Sequence, residues 1–230
     1  MILIDNFDRI KHFYFTKKQN IVRKYIVEFI GTFFFIFTIL MVNNNETPLG
    51  FAPIAIGFAF MVMIFAGEHI SGGHYNPAVT LAMFIRKNIS LNDTLGYVLA
   101  QFIAGIFAAF TAKALIDTKV KSADHLEPVV AVTAEFIGTF VLVYVILNVT
   151  TSVANKGNSF YGLTIGATIS VLTYTFTSIS GAAFNPAVAV GLSSVGAFEW
   201  ANLWIYLVGT LAGAGVAAVL YGFLVSEVSE

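Results

Sequence analysis

The chain contains no cysteine among its 230 residues. That removes disulfides, thiol nucleophiles and cysteine-based metal sites together, and leaves the redox state of the compartment unreadable. Charge is also scarce. Asp, Glu, Lys and Arg make up 11% of the residues, under half the roughly one quarter usual in soluble domains. The net charge of −1 offers no electrostatic footprint for nucleic acid. Residues 1–24 mix Asp5, Asp8, Arg9, Lys11, Lys17, Lys18, Arg23 and Lys24 before any long apolar run, so they do not resemble a cleaved signal. Insertion is expected to rely on the first spanning helix. What the chain has is apolar surface: 57% hydrophobic residues, too many for a soluble fold of this size to cover. Lipid has to be the solvent for most of it.

Runs of about 20 apolar residues predict six spans. Tyr25–Val42 is broken only by Glu28, and Val129–Ala154 only by Glu135. Leu49–Gly67, Thr94–Ala112 and Trp200–Ser226 carry no charge, and Gly157–Phe198 is uncharged over a length that holds one span and something more. Two short apolar pieces remain, Pro77–Ile85 and Pro186–Val195. At ~1.5 Å per residue each makes roughly 14 Å of helix, about half the hydrocarbon thickness, so neither can cross. Each starts with Pro, favoured at the first helical position, and follows Asn, a strong N-cap.

With six spans, one side of the membrane receives nine of the twelve basic residues: Arg9, Lys11, Lys17, Lys18, Arg23, Lys24, Arg86, Lys87 and Lys156. That excess places both termini in the cytoplasm. Lys113, Lys119 and Lys121 go to the other side.

The chain is duplicated. Glu28-Phe29-Ile30-Gly31-Thr32-Phe33 reappears as Glu135-Phe136-Ile137-Gly138-Thr139-Phe140, an offset of 107. Gly57 matches Gly166 and Asn76-Pro77-Ala78-Val79 matches Asn185-Pro186-Ala187-Val188, both at 109. Three spans per half is an odd number, so the second copy enters from the opposite face as an inverted repeat. The two short helices then dip in from opposite sides, and their N-terminal Asn residues meet near the midplane. Irregular backbone at that depth needs protein cover or a wet cavity, and a pore supplies the latter. The expected fold is an all-α membrane protein of six transmembrane helices plus two re-entrant half-helices. Its expected organisation is a cytoplasmic tail (1–22) and one channel domain (23–226), with repeats at about 25–115 and 129–224.

The two Asn-Pro-Ala motifs, Ser71-Gly72-Gly73-His74-Tyr75 before the first, and the repeated Glu-Phe-Ile-Gly-Thr-Phe resemble the aquaporin (major intrinsic protein) family, from about Tyr25 to Tyr221. The resemblance implies a channel without enzymatic activity or cofactor, passing water and small neutral solutes through a lipid bilayer, here the plasma membrane. It also implies a homotetramer with one pore per subunit.

The residues suggest how such a pore would work. The Asn76 and Asn185 side-chain oxygens can cap free backbone N–H groups and leave their amide NH₂ groups as lumen donors. A water held there by its oxygen points its protons toward both mouths, which breaks a proton relay. Two helix N-termini, each worth ~0.5 positive charge, aim at the same spot and repel cations. Pro77 and Pro186 preset the first turn, and Ala78 and Ala187 are small enough for the half-helices to touch. Glu28 and Glu135 read either as ion carriers or as acceptors for loop N–H groups, with their symmetric placement favouring the second. His74, and His69 beside it, read as loop-bracing groups or proton sensors. The stretch Ile4–Phe15 reads as an interfacial helix or a loose tail.

The family pattern is broken at one place. Most water-only members and most glycerol facilitators carry Arg directly after the second Asn-Pro-Ala, where this chain has Val188; facilitators follow it with Asp, where Ala189 stands. Counted from the motifs, Ile56, Thr173 and Ala182 complete the outer constriction. A filter built of these four is wider, less polar and uncharged, which points to a small neutral solute beside water, such as ammonia, urea, glycerol or hydrogen peroxide. Glu68 stands where the family often has a small residue. Other classes fare worse. A secondary transporter needs ion ligands near the helix breaks, and no Asp, Glu or Lys flanks Asn76 or Asn185. An enzyme needs a nucleophile–base pair or a metal site, which four scattered His residues do not assemble. A non-conducting structural protein would have its lumen closed by Val188 and the many Phe.

Overall fold

The computed structural model describes the backbone of residues 2–44, 50–116 and 126–226, and side chains within 22–43, 50–116 and 126–225. Among these residues the chain is helical, in the order α1 (Ile2–Asn44), α2 (Ala52–Ser71), α3 (Pro77–Ile85), α4 (Leu91–Leu115), α5 (Pro128–Thr151), α6 (Tyr161–Ser180), α7 (Pro186–Ser194) and α8 (Leu203–Ser226). Single 3-10 turns, Val153–Asn155 and Trp200–Asn202, precede α6 and α8. Six segments are long and apolar enough to cross a bilayer: Val22–Asn43, Ala52–Ser71, Leu91–Leu115, Pro128–Thr151, Tyr161–Ser180 and Trp200–Val225. The protein is a multi-pass integral membrane protein.

The helices pack as an inverted pair of triplets. α1 lies on α4 as α5 lies on α8, and α1 meets α2 as α5 meets α6. Each half-helix is held by the other half: α3 against α8, and α7 against α4. Across the middle α2 crosses α6 at two glycines. A Cβ on Gly57 would sit 2.2 Å from the Gly166 carbonyl oxygen, and one on Gly166 would sit 2.6 Å from that of Gly57. Backbones touch there because lipid offers helices no hydrophobic incentive to associate, so close van der Waals contact has to do it. The same logic brings α7 onto α4, where a Cβ on Gly105 would reach within 2.6 Å of the Ala187 carbonyl oxygen.

Several boundaries differ from the sequence reading. α1 is helical from Ile2, so the stretch Ile4–Phe15 has helical backbone rather than the course of a loose tail. α5 stops at Thr151 instead of Ala154, because the Asn155 and Asn158 side chains fold back and donate to the Asn148 and Val149 carbonyls at 3.0 and 2.8 Å. Those amides satisfy carbonyls that the end of a helix leaves without partners. α7 ends at Ser194, with Val195 as its C-cap. The uncharged stretch from 157 to 198 resolves into one span, α6, and the half-helix α7.

Candidate functional site

Each half-helix starts at an extended Asn. Asn76 (φ −155°, ψ 120°) accepts the Ala78 N–H on its Oδ1 at 2.8 Å, and Asn185 (φ −154°, ψ 115°) accepts the Ala187 N–H at 2.9 Å. Pro77 and Pro186 occupy the first helical positions, where a missing N–H costs nothing. The amide nitrogens then reach across the molecule. Asn76 Nδ2 donates to the Phe184 carbonyl at 2.9 Å, and Asn185 Nδ2 donates to the Tyr75 carbonyl at 2.9 Å. The sequence reading left both NH₂ groups wholly to the lumen. Instead each spends one N–H on the opposite loop and keeps one. The two loops therefore meet head to head, with both helix N-termini at the junction. Ala78 and Ala187 are fully buried beside it, and α3 touches α7.

The carbonyls used in this exchange are presented by strained backbone. Tyr75 and Phe184 both have φ +49°, in the left-handed region that non-glycine residues avoid. A buried glutamate holds each one there. Glu28 accepts from Ser71 Oγ (2.7 Å) and His74 N (3.0 Å) on one oxygen, and from Tyr75 N (2.7 Å) and Gln101 Nε2 (2.8 Å) on the other. Glu135 accepts from Ser180 Oγ (2.6 Å), Ala183 N (3.0 Å) and Phe184 N (2.7 Å). Tyr97 and Tyr206 donate their hydroxyls to the Ser71 and Ser180 carbonyls at 2.6 and 2.8 Å. Loop N–H groups that would otherwise be orphaned in lipid are thereby satisfied.

Sequence reasoning matched Ser71 and Ser180 as part of the repeat but gave them no role, and it missed Tyr97, Tyr206, Gln101 and Thr80. A signal was there for four of them: both Ser and both Tyr recur at the same offset of 109 as the Asn-Pro-Ala motifs. Gln101 and Thr80 have no such echo, since Thr210 and Ala189 stand at their counterparts. The first half carries an added polar chain. Gln101 Nε2 bridges Glu28 and Thr80 Oγ1 (3.0 Å), and Thr80 Oγ1 meets His74 Nδ1 at 3.1 Å. The Thr80 hydroxyl also faces Gln101 Oε1 at 3.5 Å, so it sits between that amide and the His74 imidazole. His69, by contrast, is exposed.

A cavity of about 610 Å³ opens toward the end of the bundle where α1 enters and α8 leaves. Its wall has an aliphatic side, formed by Ile64, Val79, Met83, Ile146 and Ile165, and a backbone side formed by Ser71 to His74. Lys24 and Lys87 line the same cavity, so these two basic residues share one face of the molecule. The four residues counted as a constriction lie on separate elements: Ile56 early in α2, Thr173 in the later half of α6, Ala182 in the loop before α7, and Val188 in the first turn of α7. Ile56, Thr173 and Val188 are buried and Ala182 is half-buried. Ala182 is left-handed at φ +54°, where the first half has Gly73 at +62°.

Six spans and two half-helices that enter from opposite ends and meet at their N-termini are the architecture of a membrane channel with re-entrant loops. The model of the Major intrinsic protein family matches residues 15–221. The glycerol uptake facilitator protein-like 6 of Lactiplantibacillus plantarum is 35% identical over 220 residues, covering 90% of this chain and all of that protein. Aquaporin AqpM of Methanothermobacter thermautotrophicus is 30% identical over 247 residues, covering 90% of this chain and 99% of that protein. The X-ray structure of the aquaglyceroporin from Plasmodium falciparum has the same fold, with a TM-score of 0.78 over 90% of this chain and 98% of that one at 24% identity. The chain belongs to the major intrinsic protein family and is a passive channel for water and small neutral solutes.

Proposed function

We propose that water and at least one larger neutral solute pass in single file between the two halves of this chain, with cations and protons turned back at Asn76 and Asn185. The observation that carries this is the reciprocal pair of bonds from each Asn amide to the opposite loop, which fixes two positive helix ends and two remaining N–H donors at one level. A neutral molecule gains a hydrogen bond there, and a cation meets repulsion. The transport is passage without chemical change. Residues 23–226 form the conducting domain, residues 1–22 precede it on the cytoplasmic side together with the C-terminus, and four copies assemble in the plasma membrane with one pore each.

Ile56, Thr173, Ala182 and Val188 form the outer constriction in this reading. None of them carries a charge, and Thr173 alone supplies a hydroxyl. An opening of that kind sorts solutes by size more than by hydrogen bonding. Relatives with names of both kinds, glycerol facilitator and aquaporin, agree with a pore of mixed permeability. Stopped-flow light scattering on proteoliposomes tests it, with sucrose and then ammonia, urea, glycerol and hydrogen peroxide as the gradient. Water flux accompanied by flux of at least one of these solutes supports the reading. Water flux alone refutes the solute half of it, and vesicles no more permeable than empty ones refute both.

A further inference from the structure

The cavity at the end of the bundle holds two opposite charges that the fold of the pore does not explain. Glu68 lies in the last turn of α2, half-buried, with its backbone carbonyl capped by the Gly72 N–H at 2.8 Å. It lines the 610 Å³ cavity together with Lys87, which follows α3. The cavity has a second charged couple, Lys24 and Asp93, joined at 3.2 Å. That is the sole ion pair among the described residues, so Glu68 and Lys87 face one space with neither neutralised by the other. Lys87 has a further peculiarity. Its φ of +60° is left-handed, at the residue after the α3 cap where glycine is the usual choice. The chain closes this turn with Lys87 N–H to the Phe84 carbonyl and Asn88 N–H to the Met83 carbonyl, both at 2.9 Å, and keeps a long cation there. Strain retained at a cavity wall is a reason to look for a role in that cavity.

We propose that Glu68 and Lys87 are the two arms of an electrostatic latch that closes the pore mouth when they pair across the cavity. The inference rests on the channel reading above and adds regulation to it. The arms reach from elements that are themselves fixed. α2 is packed at Gly57 against α6, and α3 is locked through Asn76, so the arms are carried by fixed backbone. Beneath the arms the wall is aliphatic (Ile64, Val79, Met83, Ile146), and a narrowed apolar throat loses its water readily. Both groups border bulk solvent at the mouth, so their attraction is screened by salt over roughly 8–10 Å at physiological ionic strength. Closure is therefore favoured at low salt. The other charges within view are Lys24 of α1 and Asp93 of α4, already paired, and Lys156 of the α5–α6 connection. Lys156 shares with Glu68 a neighbouring recess of about 520 Å³ and is the competing partner.

Because the chain has no cysteine, the test can be made in a clean background. Glu68→Cys with Lys87→Cys is reconstituted as full chain in proteoliposomes and treated with a short, reducible bis-thiosulfonate cross-linker. Water permeability is measured before linking, after linking and after reduction. The latch requires water flux in the reduced form close to that of wild type at high salt, a fall toward empty vesicles on linking, and recovery on reduction, with neither single variant responding. In parallel, wild-type flux should rise between low and high salt, Glu68→Gln should abolish that dependence, and the charge swap Glu68→Lys with Lys87→Glu should restore it. Linking without loss of flux overturns the latch while leaving the channel intact. Failure of this pair to link also overturns it, whether or not Glu68→Cys with Lys156→Cys links, since the two arms then do not meet across the cavity. A reduced protein that passes no water removes the channel reading and the latch with it.

Discussion

The glutamates under the loops give the sharpest quantitative test. Glu135 accepts from three donors, Ser180 Oγ, Ala183 N and Phe184 N, all within the protein interior. Glu135→Ala removes every acceptor and leaves the donors in place. A buried donor left without a partner costs about 1–3 kcal/mol, so three cost about 3–9 kcal/mol against a total stability of about 5–15. The alanine variant is expected not to accumulate as folded protein. Glu135→Gln is gentler. Its oxygen can keep Ser180 and Ala183, while its NH₂ faces the Phe184 N–H, so one donor is orphaned at about 1–3 kcal/mol. For a chain of this size each kcal/mol shifts the melting midpoint by about 2–4 °C, which gives a drop of about 2–12 °C. Phe184 is the left-handed residue whose carbonyl receives Asn185's counterpart, Asn76, so the loss falls on the junction itself. Glu28→Gln should fall further, because two donors, Tyr75 N and Gln101 Nε2, share the affected oxygen. Gln101 can turn its amide over to accept, but Thr80 then loses its donor. Thermal unfolding in detergent, followed by the fluorescence of Trp200 and Trp204, measures the series. Wild-type midpoints for both alanine and glutamine variants would refute the claim that these carboxyl groups hold the loops.

Three further outcomes follow from the same contacts. Asn185→Ala removes the Ala187 cap, worth about 0.5–2 kcal/mol, and the bond to Tyr75; proton leak into proteoliposomes carrying a pH-sensitive dye should rise, and an unchanged leak counts against a barrier at this level. Val188→Arg should suppress solute flux more than water flux in stopped-flow scattering, and equal losses would show that this position is not in the constriction. Gly57→Leu should abolish the monodisperse peak in size-exclusion chromatography, since even its Cβ would lie 2.2 Å from the Gly166 carbonyl oxygen, whereas Gly50→Leu, with nothing within 4 Å, should not.

The number of spans, the duplication and the start of each half-helix were legible because each has a one-dimensional signature. Apolar length marks a span, a constant offset marks a repeat, and Asn-Pro marks a capped helix start. Pro77–Ile85 matches α3 at both ends for that reason. Where helices stop depends on what satisfies their last carbonyls, and that is not a property of the run itself. Asn155 and Asn158 end α5 from positions beyond it. The acceptor role read for Glu28 and Glu135 needed only their symmetry, but the identity of their donors did not follow. Gln101 lies 73 residues from Glu28 and reaches it because α4 packs on α1. Glu68 had no account at all in the sequence, since its meaning depends on Lys87 sharing a cavity with it.

Comparison of the two halves separates scaffold from selectivity. Residues that hold a loop are repeated: Glu28 and Glu135, Ser71 and Ser180, Asn76 and Asn185, Tyr97 and Tyr206. Residues beside them are not. His74, Thr80 and Gln101 of the first half become Ala183, Ala189 and Thr210 in the second, so one half has a continuous polar chain and the other none. Two-fold symmetry is thus kept where loop N–H groups must be satisfied and where backbones touch, as at Gly57 and Gly166, and is broken in the polar chain that stands behind the first loop alone. Thr173 stands against this apolar trend in the second half, at the counterpart of Ile64. Among the described residues its backbone carbonyl accepts from Thr177, and no partner is found for its hydroxyl. If it meets solute, Thr173→Val removes the last side-chain hydrogen bond of the constriction at nearly constant volume. Water, which needs only the midplane donors, should pass almost unchanged, while glycerol, whose hydroxyls are stripped of water together, should slow. Equal slowing of both would mean that Thr173 narrows the pore without bonding to what passes.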